Sequence, residues 1–195
     1  MDYSQLKRLS NKPFFSIDDL AEVFAIKPGS ARVLAARHVK KGLFVRLKNN
    51  FYVLDQAWER FAREDFFNIA NFLQVPSYIS LMSALAWHEV TTQVQRDYFE
   101  SICLKRSARF DERGVVFHYY KFPRKYYSGF QKESGVFIAT KEKAIADAMY
   151  LYSFGKYKLD LDSIDFRKFD KAKLTSILKA FPAKTKNMAE KLCKI

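Results

Sequence analysis

The side chains whose types and spacing suit a chemistry are cations, and that chemistry is recognition of a polyanion. Arg32, Ala36, Arg37, Lys40 and Lys41 recur on one side of a helix predicted over about 31–41, with Ser30 placed to cap it. Small residues let such a helix approach base edges, while Arg bridges guanine and Lys meets phosphate. Ser30 and the first-turn amides suit a phosphate at the helix N-terminus. Arg46 and Lys48 follow at once, placed to touch the neighbouring backbone, and Asn49 and Asn50 at the turn between them and the next strand complete the DNA-binding set. The plainer reading is a solvated charged face on a module that contacts protein. Double-stranded DNA is the favoured partner because the acids Asp18, Asp19 and Glu22 sit apart, on a preceding helix.

Other chemistries lack their residues. The histidines are His38, His88 and His118, and no Cys/His pair has metal-ligand spacing, so neither a metal nor a cofactor is expected. The six glycines form no phosphate loop or dinucleotide fingerprint. Glu142 and Asp147 share a helix but lie about 140° apart around it. Asp111, Glu112 and Lys121 offer a nuclease-like set, yet any charged loop offers as much. No catalytic residue is assigned and no enzyme is expected. His38 faces the core side of its helix and reads as a hydrogen-bonded packing residue. The rival signal is the run 119–127, Tyr-Tyr-Lys-Phe-Pro-Arg-Lys-Tyr-Tyr, whose aromatics and cations suit single-stranded bases. It supports an alternative, an RNA-binding or nucleic-acid-processing protein, although half of those aromatics are needed inside a strand.

The cations must be positioned by a small set of elements. Ser16-Ile17-Asp18-Asp19 has the spacing of a capping box, predicting a helix from about Ile17 with Leu20, Val23 and Phe24 inward. Lys27-Pro28-Gly29 is expected to end it. In the second helix Leu34, Ala35, His38 and Val39 face the core, and Gly42 stops it. Residues 43–47 and 51–54 read as a hairpin around Lys48-Asn49-Asn50, since Asn tolerates the positive φ of a tight turn. Helix, turn, helix and basic hairpin make a winged helix-turn-helix. A linking helix near 56–63 follows. Helices over 65–73 and from Ser77 meet at Pro76, strands at 98–105, 115–122 and 135–140 are joined by charged or turn segments, and Thr140 caps another helix. Phe166–Phe181 and Thr185–Cys193 read as lysine-rich helices. The fold class expected is α+β: a winged helix-turn-helix over 1–57, then a mixed α/β domain over 58–195 with a small antiparallel sheet and a basic helical tail, 167–195.

Charge is distributed unevenly along the 195 residues. Residues 1–60 carry 11 Lys/Arg against 6 Asp/Glu, 61–166 carry 14 against 13, and 167–195 carry 9 against 2. The two ends are basic around a nearly neutral middle, which points to separate duties. The tail suits a solvated face, an auxiliary nucleic-acid contact or an acidic protein partner. Cys103 and Cys193 are far apart, as in a reduced cytoplasmic protein. The N-terminus, acidic at Asp2 and without an apolar stretch, predicts no secretory signal. Phe66–Trp87 lacks charge and is long enough to span a bilayer. Its Asn68, Asn71, Gln74 and Pro76 favour two buried helices in a soluble protein without a membrane partner.

Three blocks resemble the AbiEi family, antitoxins of abortive-infection toxin–antitoxin pairs, over nearly the whole chain. They are Gly29-Ser30-Ala31-Arg32 through Lys41-Gly42-Leu43 to Phe51-Tyr52-Val53; Pro76-Ser77-Tyr78-Ile79-Ser80 with Ser83-Ala84-Leu85; and Thr140-Lys141-Glu142-Lys143-Ala144-Ile145-Ala146-Asp147. The resemblance implies an N-terminal repressor of its own operon, bound at inverted repeats in promoter DNA. It also implies a C-terminal domain that counteracts a nucleotidyltransferase-like toxin. Two departures, His38 in place of a usual Leu and Asn49-Asn50 in place of a usual Gly, keep base preference from being carried over.

Overall fold

The computed structural model describes residues 8–9 and 12–193; the first seven residues of the expected N-terminal domain, and Lys194 and Ile195 of the tail, lie outside them. The side chain of Cys193 lies outside them too. Contacts divide the chain into two units, one reaching to Ile69 and taking in Glu112–Gly114, the other formed by Ala70–Asp111 and the chain from Val115 onward.

In the first unit β1 (Phe15–Ser16) leads into α1 (Ile17–Phe24). The capping box forms as expected: the Ser16 hydroxyl accepts from the Asp19 amide at 3.0 Å, and the Asp19 carboxylate accepts from the Ser16 amide at 2.7 Å. Ala25 ends α1 in the left-handed region, with φ 52°. The second helix, α2 (Pro28–Lys40), starts earlier than the sequence reading placed it. Pro28 takes the first helical position, where its missing N–H has no helical acceptor to lose. Lys27-Pro28-Gly29 therefore opens α2 instead of closing α1, and Ser30 sits in the first turn, not at the cap.

Gly42 (φ 70°) turns the chain into β2 (Phe44–Lys48), and β3 (Phe51–Leu54) returns antiparallel with a bulge between Arg46 and Lys48. Asn50 supplies the positive φ of the turn, 66°. β3 lies between β1 and β2 in a three-stranded antiparallel sheet. Phe15, Ile17, Leu20, Ala31, Ala35, Phe44 and Tyr52 form the core beneath the two helices. The linking helix expected near 56–63 is one turn, α3 (Asp55–Trp58), followed by a break and then α4 (Arg63–Leu73).

The second unit corrects the expected small antiparallel sheet. Its strands are β4 (Ser77–Ile79), β5 (Tyr98–Cys103), β6 (Ala108–Glu112), β7 (Val115–Lys121), β8 (Phe130–Glu133) and β9 (Val136–Ala139). They lie in the order β6-β7-β5-β4-β9-β8. β5 runs parallel to β7 and β4 parallel to β9, so the sheet is mixed. Residues 77–79, expected to begin a helix, form a fully buried strand, because a short apolar run has the same appearance in either element. Ser80, not Ser77, takes the N-cap position of α5 (Leu81–Trp87). Strand β6 lies within the stretch read as a charged link, since an edge strand with alternate residues in solvent carries many charges. Among the described residues no helix is long and apolar enough to cross a membrane.

Thr140 caps α6 (Lys141–Ser153) as the sequence predicts, accepting from the Lys143 amide. Asp170 interrupts the helix expected over 166–181 by capping a shorter α7 (Lys171–Leu178), and α8 (Ala183–Cys193) follows. Leu174, Leu178, Phe181 and Ala189 are buried, and the Thr185 hydroxyl meets that of Ser153 at 3.0 Å. The basic tail is thus part of this unit's core on one side and a lysine surface on the other.

Candidate nucleic-acid interface

Between Lys27 and Leu54 the chain carries seven Lys/Arg and no Asp or Glu. α2 sorts these residues by face. Ala31, Ala35 and His38 are buried, with Leu34 and Val39 packed against the same core. Ser30, Arg32, Ala36, Arg37 and Lys40 are exposed, as is Lys41 just past the helix. At 100° per residue, Gly29, Val33, Ala36 and Lys40 fall within about 60° of one another, with Arg32 and Arg37 on either side. The Lys27 side chain makes no capping bond and the first turn holds no acid, so this helix end is electropositive.

Val33 is the member of this face that sequence reasoning missed. It is 52% exposed, although a valine is readily taken for a core residue. The helical angle was the signal that could have found it.

On the hairpin, Arg46 points outward between buried Val45 and Leu47 and donates to the Asn49 side chain at 3.4 Å. The Lys48 ammonium lies over the Phe51 ring, 5.3 Å from its centroid. Asn49 is exposed at the tip and Asn50 is half-buried. His38 packs as expected: its Nδ1 donates to the Leu34 carbonyl at 2.8 Å, and its ring lies 4.9 Å from that of Phe44.

In the second unit the two remaining motif blocks meet. Asp147 accepts from the Tyr78 hydroxyl at 2.9 Å and the Ser80 hydroxyl at 2.8 Å, and ion-pairs with Lys143 one turn earlier on α6. All four side chains are buried. The Lys143 ammonium is enclosed by the rings of Tyr78, Phe122 and Phe181 at 5.2–5.6 Å. Burial pushes the Asp147 carboxyl up, and Lys143, Ser80 and Tyr78 oppose that by holding the anion. This cluster clamps β4 to α6 and offers no reacting group to solvent. Glu142 is directed elsewhere, accepting from the Asp170 amide, so the two carboxylates do not converge.

A second buried carboxylate, Glu100, accepts from the Met82 amide at 3.2 Å and the Tyr157 hydroxyl at 2.9 Å. Burial raises its pKa to about 7. Among the described residues no group of His, Cys, Asp and Glu is arranged to hold a metal ion.

The aromatic run 119–127 does not form a stacking platform. Tyr119, Phe122 and Tyr126 are buried, the Tyr119 hydroxyl donating to the Ala70 carbonyl. Tyr120 and Tyr127 are half-buried against other rings. Only the cations and Pro123 of the run are exposed.

No protein-family model matches the sequence, and no curated protein matches it.

Proposed function

We propose that the first unit is a winged helix-turn-helix that binds double-stranded promoter DNA, α2 entering the major groove and the β2–β3 hairpin serving as the wing. The observation that carries this reading is the acid-free basic segment from Lys27 to Leu54, exposed on one side of α2 and along the hairpin. A three-residue turn after α1 and a hairpin directly after α2 fit the element order of that motif. Ser30 and the uncapped first turn suit a phosphate, and the hairpin turned at Asn49 and Asn50 carries Arg46 and Lys48, cations suited to the neighbouring backbone.

The wider proposal is an antitoxin of the AbiEi type that represses its own operon at inverted repeats and counteracts a nucleotidyltransferase-like toxin. The two motif blocks of the second unit support it by converging on one clamp, Tyr78, Ser80, Lys143 and Asp147. We place the protein in the cytoplasm and assign it no enzymatic step. The RNA-binding alternative is weakened by the burial of Tyr119, Phe122 and Tyr126.

A footprint on the DNA upstream of the gene, read beside a reporter fused to that promoter, tests the proposal. Purified protein should protect paired half-sites and repress the reporter. A variant with Arg32, Arg37 and Lys40 changed to Ala should do neither while keeping its fold. Equal repression by that variant would refute the assignment.

A further inference from the structure

Val33 makes no contribution to the core, and a β-branched residue is a poorer helix former than alanine at an exposed position. Its two methyl groups stand at the middle of the outward face of α2, one residue after Arg32, three before Ala36 and four before Arg37. An exposed valine alone is unremarkable on a protein surface. Here its neighbours are cations and small side chains, and the apolar group that double-stranded DNA presents to a helix in its major groove is the C5-methyl of thymine.

We infer that Val33 reads a thymine methyl, so that the preferred half-site carries a thymine close to the base contacted by Arg37. This rests on the DNA-binding reading above and adds the base class to it. The four residues from Val33 to Arg37 advance the helix by about 6 Å, roughly two base-pair steps along a strand. Ala36, on the same stripe, carries a single methyl, so the branched side chain of Val33 offers the larger apolar surface of this face.

Full-length protein is used to select a site from randomised duplex DNA. Each thymine of the selected site is then replaced singly by deoxyuridine, which removes only the methyl. One replacement in each half-site should weaken wild-type binding about threefold to tenfold. Val33→Ala should bind the thymine and deoxyuridine duplexes equally, and Val33→Thr, which keeps one methyl, should lie between. A selected site at which no replacement matters, or at which Val33→Ala keeps the same sensitivity, would overturn the inference while leaving DNA binding intact. Failure to bind any duplex would instead overturn the DNA-binding reading, and this inference with it.

Discussion

Arg37 stands mid-helix on the exposed side of α2, where a guanidinium can bridge the O6 and N7 of guanine. Arg37→Ala should cost about 1–3 kcal/mol on the selected site and much less on random duplex, measured by competition binding. Equal losses would make it a phosphate contact and pass the base-reading role to Arg32. At this scale the cationic face was legible because charge and helical angle are both visible in a sequence. Val33 was passed over although its helical angle sets it on that face, because an aliphatic side chain is readily taken for core. Glu100 was hidden for another reason: the donors that meet its buried carboxylate, the Met82 amide and the Tyr157 hydroxyl, are distant in sequence. With its pKa raised by burial to about 7, Glu100 binds more protons in the folded state than in the unfolded one. Its contribution to stability is therefore complete below the ordinary glutamate range and is lost as pH rises toward 7. The midpoint of thermal unfolding should fall as pH is raised from 5 to 7.5, and Glu100→Gln should flatten that slope. A slope unchanged in Glu100→Gln would assign the dependence to another group.

Elements with a local chemical signature were the ones legible in advance. Ser16 with Asp19 fixed the start of α1, Thr140 that of α6, and Asn50 the hairpin turn. Ser16→Ala should cost about 1 kcal/mol of the first unit's stability, read by chemical denaturation, and no loss would show that the Asp19–Lys12 pair holds the helix end by itself. What was not legible were the strands whose identity depends on their neighbours. Tyr78 and Ile79 have the apolar character of either element, and only pairing with β5 and β9 makes them a strand. Edge strands β6 and β8 expose alternate or central residues to solvent and so carry loop-like composition. The parallel β5–β7 pairing follows from the chain visiting β6 at the edge before returning, a topological fact without a residue signal. The clamp between β4 and α6 gives a sharper test. Lys143→Met leaves Asp147 buried without its cation and should cost about 3–5 kcal/mol. Adding Asp147→Asn removes the charge while an amide oxygen still accepts from Tyr78 and Ser80, so the double variant should recover much of that loss. Equal destabilisation in both would mean that packing around Lys143, not charge, holds the two elements.

For the molecule as a whole, the distribution of charge argues for a division of labour. The basic segment 27–54 lies in the first unit, while residues 61–166 are almost neutral and hold the two blocks that meet at Asp147. The antitoxin proposal predicts that, with the proposed toxin expressed from an independent promoter, the Arg32/Arg37/Lys40→Ala variant still rescues growth. Loss of rescue in a folded variant would place the α2 face inside neutralisation. The central claim, that this face binds DNA, is tested most directly by titrating upstream duplex with full-length protein over a range of salt concentrations. Log affinity should fall linearly with log salt, with a slope of roughly −0.9 for each phosphate neutralised. The triple alanine variant should show a shallower slope and weaker binding. A complex insensitive to salt, or one whose slope is the same in wild type and variant, would contradict the account.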